Sequence, residues 1–227
     1  MYPAGNLFIP TEHGRLEAII KEPRAAAGGE RVPRGVALVL HPHPLHGGTM
    51  HNKVVFRAAR SLNDAGLVAL RINFRGVGLS TGTHDHAQGE QQDARAALDY
   101  LVNAYPNLPV TLAGFSFGAR VGLEVGINDS RIQNLIGIGT PINMYDFTFL
   151  DDCRKPLLLV HGARDEFGDA ARLRTLAEEL PPESLVRLEI IPDAGHFFDE
   201  QLDELSRVIA GWVEETTKAS SSGIVQS

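Results

Sequence analysis

Short apolar runs rich in β-branched residues alternate with longer stretches of helical period along almost the whole chain. That alternation restricts the fold more than any other feature. The segments RLEAII (15–20), GVALVL (35–40), LVALRINF (67–74), LPVTLAGF (108–115), IQNLIGIG (132–139), KPLLLVHG (155–162) and SLVRLEIIP (184–192) read as strands. Between and after them, residues 53–66, 91–105, 118–127, 169–180 and 204–216 read as helices. In the first of these, Val54, Val55, Ala58, Ala59 and Leu62 recur on one face and Gly66 supplies the stop. Such an order implies an α/β fold: a mostly parallel central sheet flanked by helices on both faces. In open sheets of this kind ligands sit beyond the carboxyl ends of the strands, so functional residues are expected just after each strand.

One such domain accounts for residues 1–218, and the small, polar, aperiodic residues 219–227 are expected to form a disordered tail. The stretch AAAGGERVPRG (25–35) is too short to divide domains and reads as a surface loop. A formal charge of −7 and the lack of any Lys/Arg-rich run exclude nucleic acid as a partner. With Cys153 as its single cysteine the chain makes no intramolecular disulfide. No signal-like start and no apolar stretch of membrane length are present in the sequence, so no membrane partner and a cytoplasmic location are expected.

The strand 108–115 runs straight into GFSFG (114–118), and a helical pattern follows. A serine on such a strand-to-helix bend takes positive φ, which lifts its Oγ clear of the sheet. Strand and helix then pass so closely that the residues two positions either side must be small, and Gly114 and Gly118 are. Ser116 therefore reads as a nucleophile. It needs a base, and the base needs an acid to orient it. His196 follows the strand 184–192 and reads as the base; Asp165 follows the strand 155–162 and reads as the acid, in the chain order Ser, acid, His. Glu166, Asp169, Asp151 and Asp152 are rivals for the acid, and Asp193 reads as a turn former.

With these residues in place the chain resembles the α/β-hydrolase superfamily over nearly its whole length. Within it, the resemblance is to a small branch with an H-P-H-P-x-x-G-G loop, in the style of dienelactone hydrolases. The stretches HPHPLHGGTMHNKVV, RINFRGVGLSTG, GFSFGA, VHGARDE and AGHFF carry the likeness. It implies the nucleophile role for Ser116, the acid role for Asp165, the base role for His196, and a mechanism with no cofactor.

The loop HPHPLHGGTM (41–50) is expected to hold an oxyanion together with the N–H of Phe117. Pro42 and Pro44 have no N–H, which leaves His43 and Leu45 as second donors. The likeness favours His43, although proline stands where relatives carry glycine. Histidines 41, 43, 46 and 51, with HDH at 84–86, raise metal binding as a rival, but the first cluster lacks carboxylates and no metal is expected. Arg75 and its neighbouring glycines read as a brace for the oxyanion loop.

Between the strands ending near 138 and beginning near 156 there is no room for a large cap. The acyl group is expected to meet Met144, Tyr145, Phe147 and Phe149 from this connection, with Leu45 and Met50 opposite; Phe147 or Phe149 could equally plug the core. The expected function is a serine hydrolase of short-acyl carboxylic esters, its partner a small ester or acyl substrate. A thioesterase, a peptidase, a C–C hydrolase or a non-catalytic binding protein are the alternatives, and the oligomeric state is left open.

Overall fold

The computed structural model describes residues 7–23 and 32–222. Eight strands form one sheet: β1 (Leu7–Thr11), β2 (Gly14–Lys21), β3 (Gly35–Leu40), β4 (Leu67–Ile72), β5 (Val110–Phe115), β6 (Ile132–Ile138), β7 (Leu157–Gly162) and β8 (Arg187–Ile191). Their spatial order is β1-β2-β4-β3-β5-β6-β7-β8. The first pairings, β1 with β2 and β2 with β4, are antiparallel, and every later pairing is parallel. Five helices accompany them: α1 (Lys53–Asp64), α2 (Gln88–Ala104), α3 (Phe117–Asn128), α4 (Ala170–Glu179) and α5 (Leu202–Ser222).

Each position of β3, β4, β5 and β7 is buried, as strands covered on both faces require. Alternate residues feed two cores. Val36, Leu38 and Leu40 of β3 point to the layer containing α2 and α3; Ala37 and Val39 point to the layer containing α1 and α5. Truncating a fully buried leucine such as Leu38 or Leu112 to alanine is expected to cost about 2–5 kcal/mol.

The topology positions the site. From β3 the chain crosses to β4 on one side, then returns to place β5 on the other side of β3. The order reverses there, and a crevice opens at the carboxyl ends of β3 and β5. Residues 41–50 leave β3 at that point, and Ser116 leaves β5 beside them.

The α/β class and the strand and helix order stand as expected, with three departures. Strand β1 carries little sequence signal because LFIPT is short and contains Pro10, which an edge strand tolerates. Helix α2 begins at Gln88, three residues before the expected start. The buried Glu90 carboxylate accepts the Asp85 and Ala87 N–H groups there and stabilises the first turn. Helix α5 continues to Ser222, so residues 219–222 of the expected tail are helical; residues 223–227 lie outside the described residues, as do 25–31 of the expected surface loop. Between β6 and β7 residues 139–156 carry only a short 3-10 turn (Thr148–Asp152) and no cap. Among the described residues no helix is long and apolar enough to cross a membrane.

Candidate active site

Ser116 stands alone between the end of β5 and the start of α3, at φ 56° and ψ −120°. Positive φ in a residue with a side chain costs about 1–3 kcal/mol and persists only where its surroundings enforce it. Here the Ser116 N–H donates to the Ile138 carbonyl at 2.9 Å, and its own carbonyl accepts the Ala119 N–H at 2.8 Å. The flanking glycines are sterically required. A Cβ on Gly114 would lie 2.1 Å from the Gly118 carbonyl oxygen, and one on Gly118 would lie 2.5 Å from the Leu40 carbonyl oxygen.

Side chains from two other loops converge on this bend. His196 Nε2 lies 3.0 Å from Ser116 Oγ, and His196 Nδ1 lies 2.8 Å from Asp165 Oδ2. His196 and Asp165 are both buried. The rivals for the acid are occupied elsewhere or stand apart from this line. Asp169 caps α4, accepting the Ala171 and Arg172 N–H groups at 2.9 Å; Glu166 is exposed, and Asp151 and Asp152 are exposed on the 3-10 turn. Asp193 sits in a turn at φ 60°, as expected, and pairs with Arg164. Asp165 Oδ1 accepts the Phe167 N–H at 2.9 Å, which holds the carboxylate in place.

His161, the penultimate residue of β7, lies under this loop. Its Nε2 is 2.7 Å from the Gly168 carbonyl, so Nε2 carries the proton and donates. Burial lowers its pKa from the ordinary value. It supports the loop on which Asp165 stands, a role the sequence reading did not foresee.

The loop after β3 is tied to the end of β4 by three side chains. Buried His41 donates from Nδ1 to the Pro42 carbonyl at 2.6 Å, and its Nε2 accepts the Phe74 N–H at 3.0 Å. A backbone N–H can only donate, so this imidazole is neutral, with its proton on Nδ1. Desolvation holds its pKa down at about 4. Asn73 accepts the Met50 N–H through Oδ1 at 2.8 Å, and Arg71 donates to the Met50 carbonyl at 2.7 Å.

Arg75 does not brace this loop as expected. It turns to α2 and pairs with buried Asp93 through Nε and Nη2, tying the segment after β4 to that helix. Among the two candidate donors, the Leu45 N–H is engaged by His43 Nδ1 at 3.2 Å. The N–H groups of His43 and Phe117 find no acceptor among the described residues. His43 also stacks on His46 at a ring separation of 4.4 Å and lies 4.9 Å from both His84 and Phe117. Burial, then the neighbouring His46 and His84, lower its pKa. His84 Nδ1 is 2.8 Å from Glu90 Oε1.

A cavity of about 210 Å³ opens on Ser116 and His196. Met144 and Tyr145 line it as expected, together with Phe117, Phe167 and Phe197, which the sequence reading assigned no wall role. Four expected wall residues do not. Met50 is fully buried beneath the loop, and the Leu45 side chain points to solvent at 68% exposure. Phe147 is 3% exposed and packs into the core with Phe149, their rings 5.6 Å apart, and Arg120 lies over both. The 3-10 turn at 148–152 directs these two rings inward, away from the crevice.

Comparisons with known proteins agree with the fold. A family model described as serine aminopeptidase, S33 (Hydrolase_4) matches residues 43–149. A lidless α/β serine hydrolase from Xanthomonas campestris is 35% identical, covers 95% of this chain and 96% of its own, and superposes with a TM-score of 0.83. An uncharacterised protein of Rickettsia prowazekii is 41% identical over 181 residues, 77% of this chain and 76% of that one. A monoacylglycerol lipase of Mycolicibacterium smegmatis is 26% identical over 136 residues, 54% of this chain and 47% of that protein.

Proposed function

Because the chain belongs to the α/β serine hydrolases that lack a lid, we propose that it cleaves short-acyl carboxylic esters through an acyl-enzyme on Ser116. The observation that carries this reading is the unbroken line from Ser116 Oγ through His196 to Asp165, with separations of 3.0 and 2.8 Å. His196 Nε2 takes the serine proton as Oγ attacks the acyl carbon, and Asp165 holds Nδ1–H so that Nε2 presents its lone pair. The developing oxyanion is held by the N–H groups of Phe117 and His43, with the N-terminus of α3 adding favourable dipole. His196 returns the proton to the leaving alcohol, then activates water to release the acid.

Short acyl groups follow from the size of the cavity and its lack of a cap. Each methylene gains about 0.8 kcal/mol only while apolar surface covers it. Met144, Tyr145 and Phe197 supply such surface close to Ser116, and beyond them a chain reaches solvent. The lipase relative acts on monoacylglycerols by its name, so longer acyl groups are the competing outcome.

Labelling with a fluorophosphonate probe, followed by an ester series of rising acyl length and matched thioesters, tests the proposal. Labelling of the parent and none of Ser116→Ala is expected, with kcat/KM highest for short esters and declining beyond about six carbons. A steady rise to long chains refutes the short-acyl assignment, and absence of labelling refutes the nucleophile.

A further inference from the structure

Apart from the catalytic cavity, one buried cation has no ion-pair partner among the described residues. Arg71, on β4, is 7% exposed. Beyond the single bond to the Met50 carbonyl, its donors find no acceptor, and no carboxylate comes within ion-pair distance among the described residues. Arg75, four residues on and equally buried, is by contrast matched to Asp93. Burying an unpaired charge is costly, and its pKa is pulled below the ordinary value by that desolvation.

Arg71 faces a cavity of about 320 Å³ between α1, β4 and the end of β2, which shares no lining residue with the one at Ser116. Phe56, half exposed, has its ring 5.3 Å from the guanidinium carbon, and Ala59 and Ala69 complete apolar walls. Exposed Lys21 adds positive charge. Glu22, also lining the cavity, accepts the Tyr105 hydroxyl.

We propose that this cavity binds a small carboxylate with a flat apolar body, its carboxylate on Arg71 and its body against Phe56, Ala59 and Ala69. The planar guanidinium fork matches a carboxylate in two-point fashion, and the ring and alanines match an aryl or short alkyl group. A phosphate dianion fits less well, because Glu22 opposes a second charge, Arg60 at the rim is already paired with Asp64, and Phe56, Ala59 and Ala69 offer it no donor. The same guanidinium anchors the Met50 carbonyl, so an occupant of this cavity shares a side chain with the loop at Ser116.

Isothermal titration with benzoate, neutral benzamide and inorganic phosphate tests this on the parent, Arg71→Met and Phe56→Glu. The second variant changes an exposed residue and sets a carboxylate against Arg71, so it decides the matter even if Arg71→Met folds poorly. Saturable one-to-one benzoate binding is expected in the parent, weakened at least about tenfold in both variants, with benzamide and phosphate binding more weakly than benzoate. No saturable benzoate binding, or equal affinity for benzamide, overturns the site. Phosphate binding tighter than benzoate overturns the ligand class. Benzoate binding that survives both substitutions and is lost after fluorophosphonate labelling of the parent assigns it to the Ser116 cavity instead, and also overturns the proposal.

Discussion

Two segments flank the Ser116 cavity, and they are held in opposite ways. Residues 41–50 are held by polar bonds. His41 bridges Pro42 to Phe74, the His43 carbonyl accepts the His46 and Gly48 N–H groups, and Met50 is gripped on both backbone atoms by Asn73 and Arg71. Residues 139–156 are held mainly by apolar burial: Phe147, Leu150 and Cys153 sink into the core, polar ties lie near the two ends at Asn143 and Lys155, and Met144 is left 54% exposed at the cavity. Polar anchorage sets the direction of backbone N–H groups, which a developing charge requires. Apolar anchorage leaves neighbouring side chains free to form a wall, which an acyl chain requires. Damage to the first segment is therefore expected in kcat, and damage to the second in the dependence on chain length.

The largest effect lies at the junction both segments serve. Ser116→Ala is expected to lower kcat by about four powers of ten or more while circular dichroism stays that of the parent. Residual turnover within about tenfold of the parent ends the nucleophile assignment, and with it any catalytic meaning for the comparison.

Next comes the polar segment. His41→Ala removes the bridge and leaves the buried Phe74 N–H without an acceptor, at about 1–3 kcal/mol in stability. With the loop loosened, kcat is expected to fall about 10- to 100-fold and KM by less than threefold either way. Steady-state kinetics on a short ester measures the split. A change confined to KM would place the loop's contribution in substrate binding instead.

The same histidine ties the segment to pH. Folded His41 titrates at about 4, against an ordinary value near 6.5. Between those values the unfolded chain binds a proton that the folded one does not, so stability falls as pH falls through that window and is retained in full above it. The expected loss by pH 4 is roughly 3 kcal/mol for His41, and His161 acts in the same direction. Urea unfolding of the parent and of His41→Asn from pH 7 to 4 measures it. Equal slopes for the two would show that His41 is not the group responsible.

The smallest effects belong to the apolar segment. Met144→Ala is expected to leave kcat/KM for acetyl esters within about twofold, and to lower it about three- to fourfold for each methylene that loses its cover. Phe147→Ala should instead cost about 3–5 kcal/mol of stability and leave the chain-length profile unchanged, because that ring lies in the core. A reversal of these two results would exchange the roles given to the residues.

The sequence by itself determined the order of the helices and of every strand but β1, because period and turn residues are local signals read within a dozen positions. It also singled out Ser116, Asp165 and His196, since the bend GFSFG and the ends of two apolar strands announce where side chains emerge beyond the sheet. Tertiary structure alone decided what meets what. That Phe147 turns inward while Tyr145 lines the cavity depends on a 3-10 turn whose direction no periodicity encodes. That Arg75 joins Asp93 while Arg71 joins Met50 depends on β4 ending between them, at Ile72, and on partners about twenty residues away, in other elements. Short-range patterning fixes an element and the face it buries; the partner of a polar side chain is settled only when separate elements pack, and the loop at Ser116 is built from such partners.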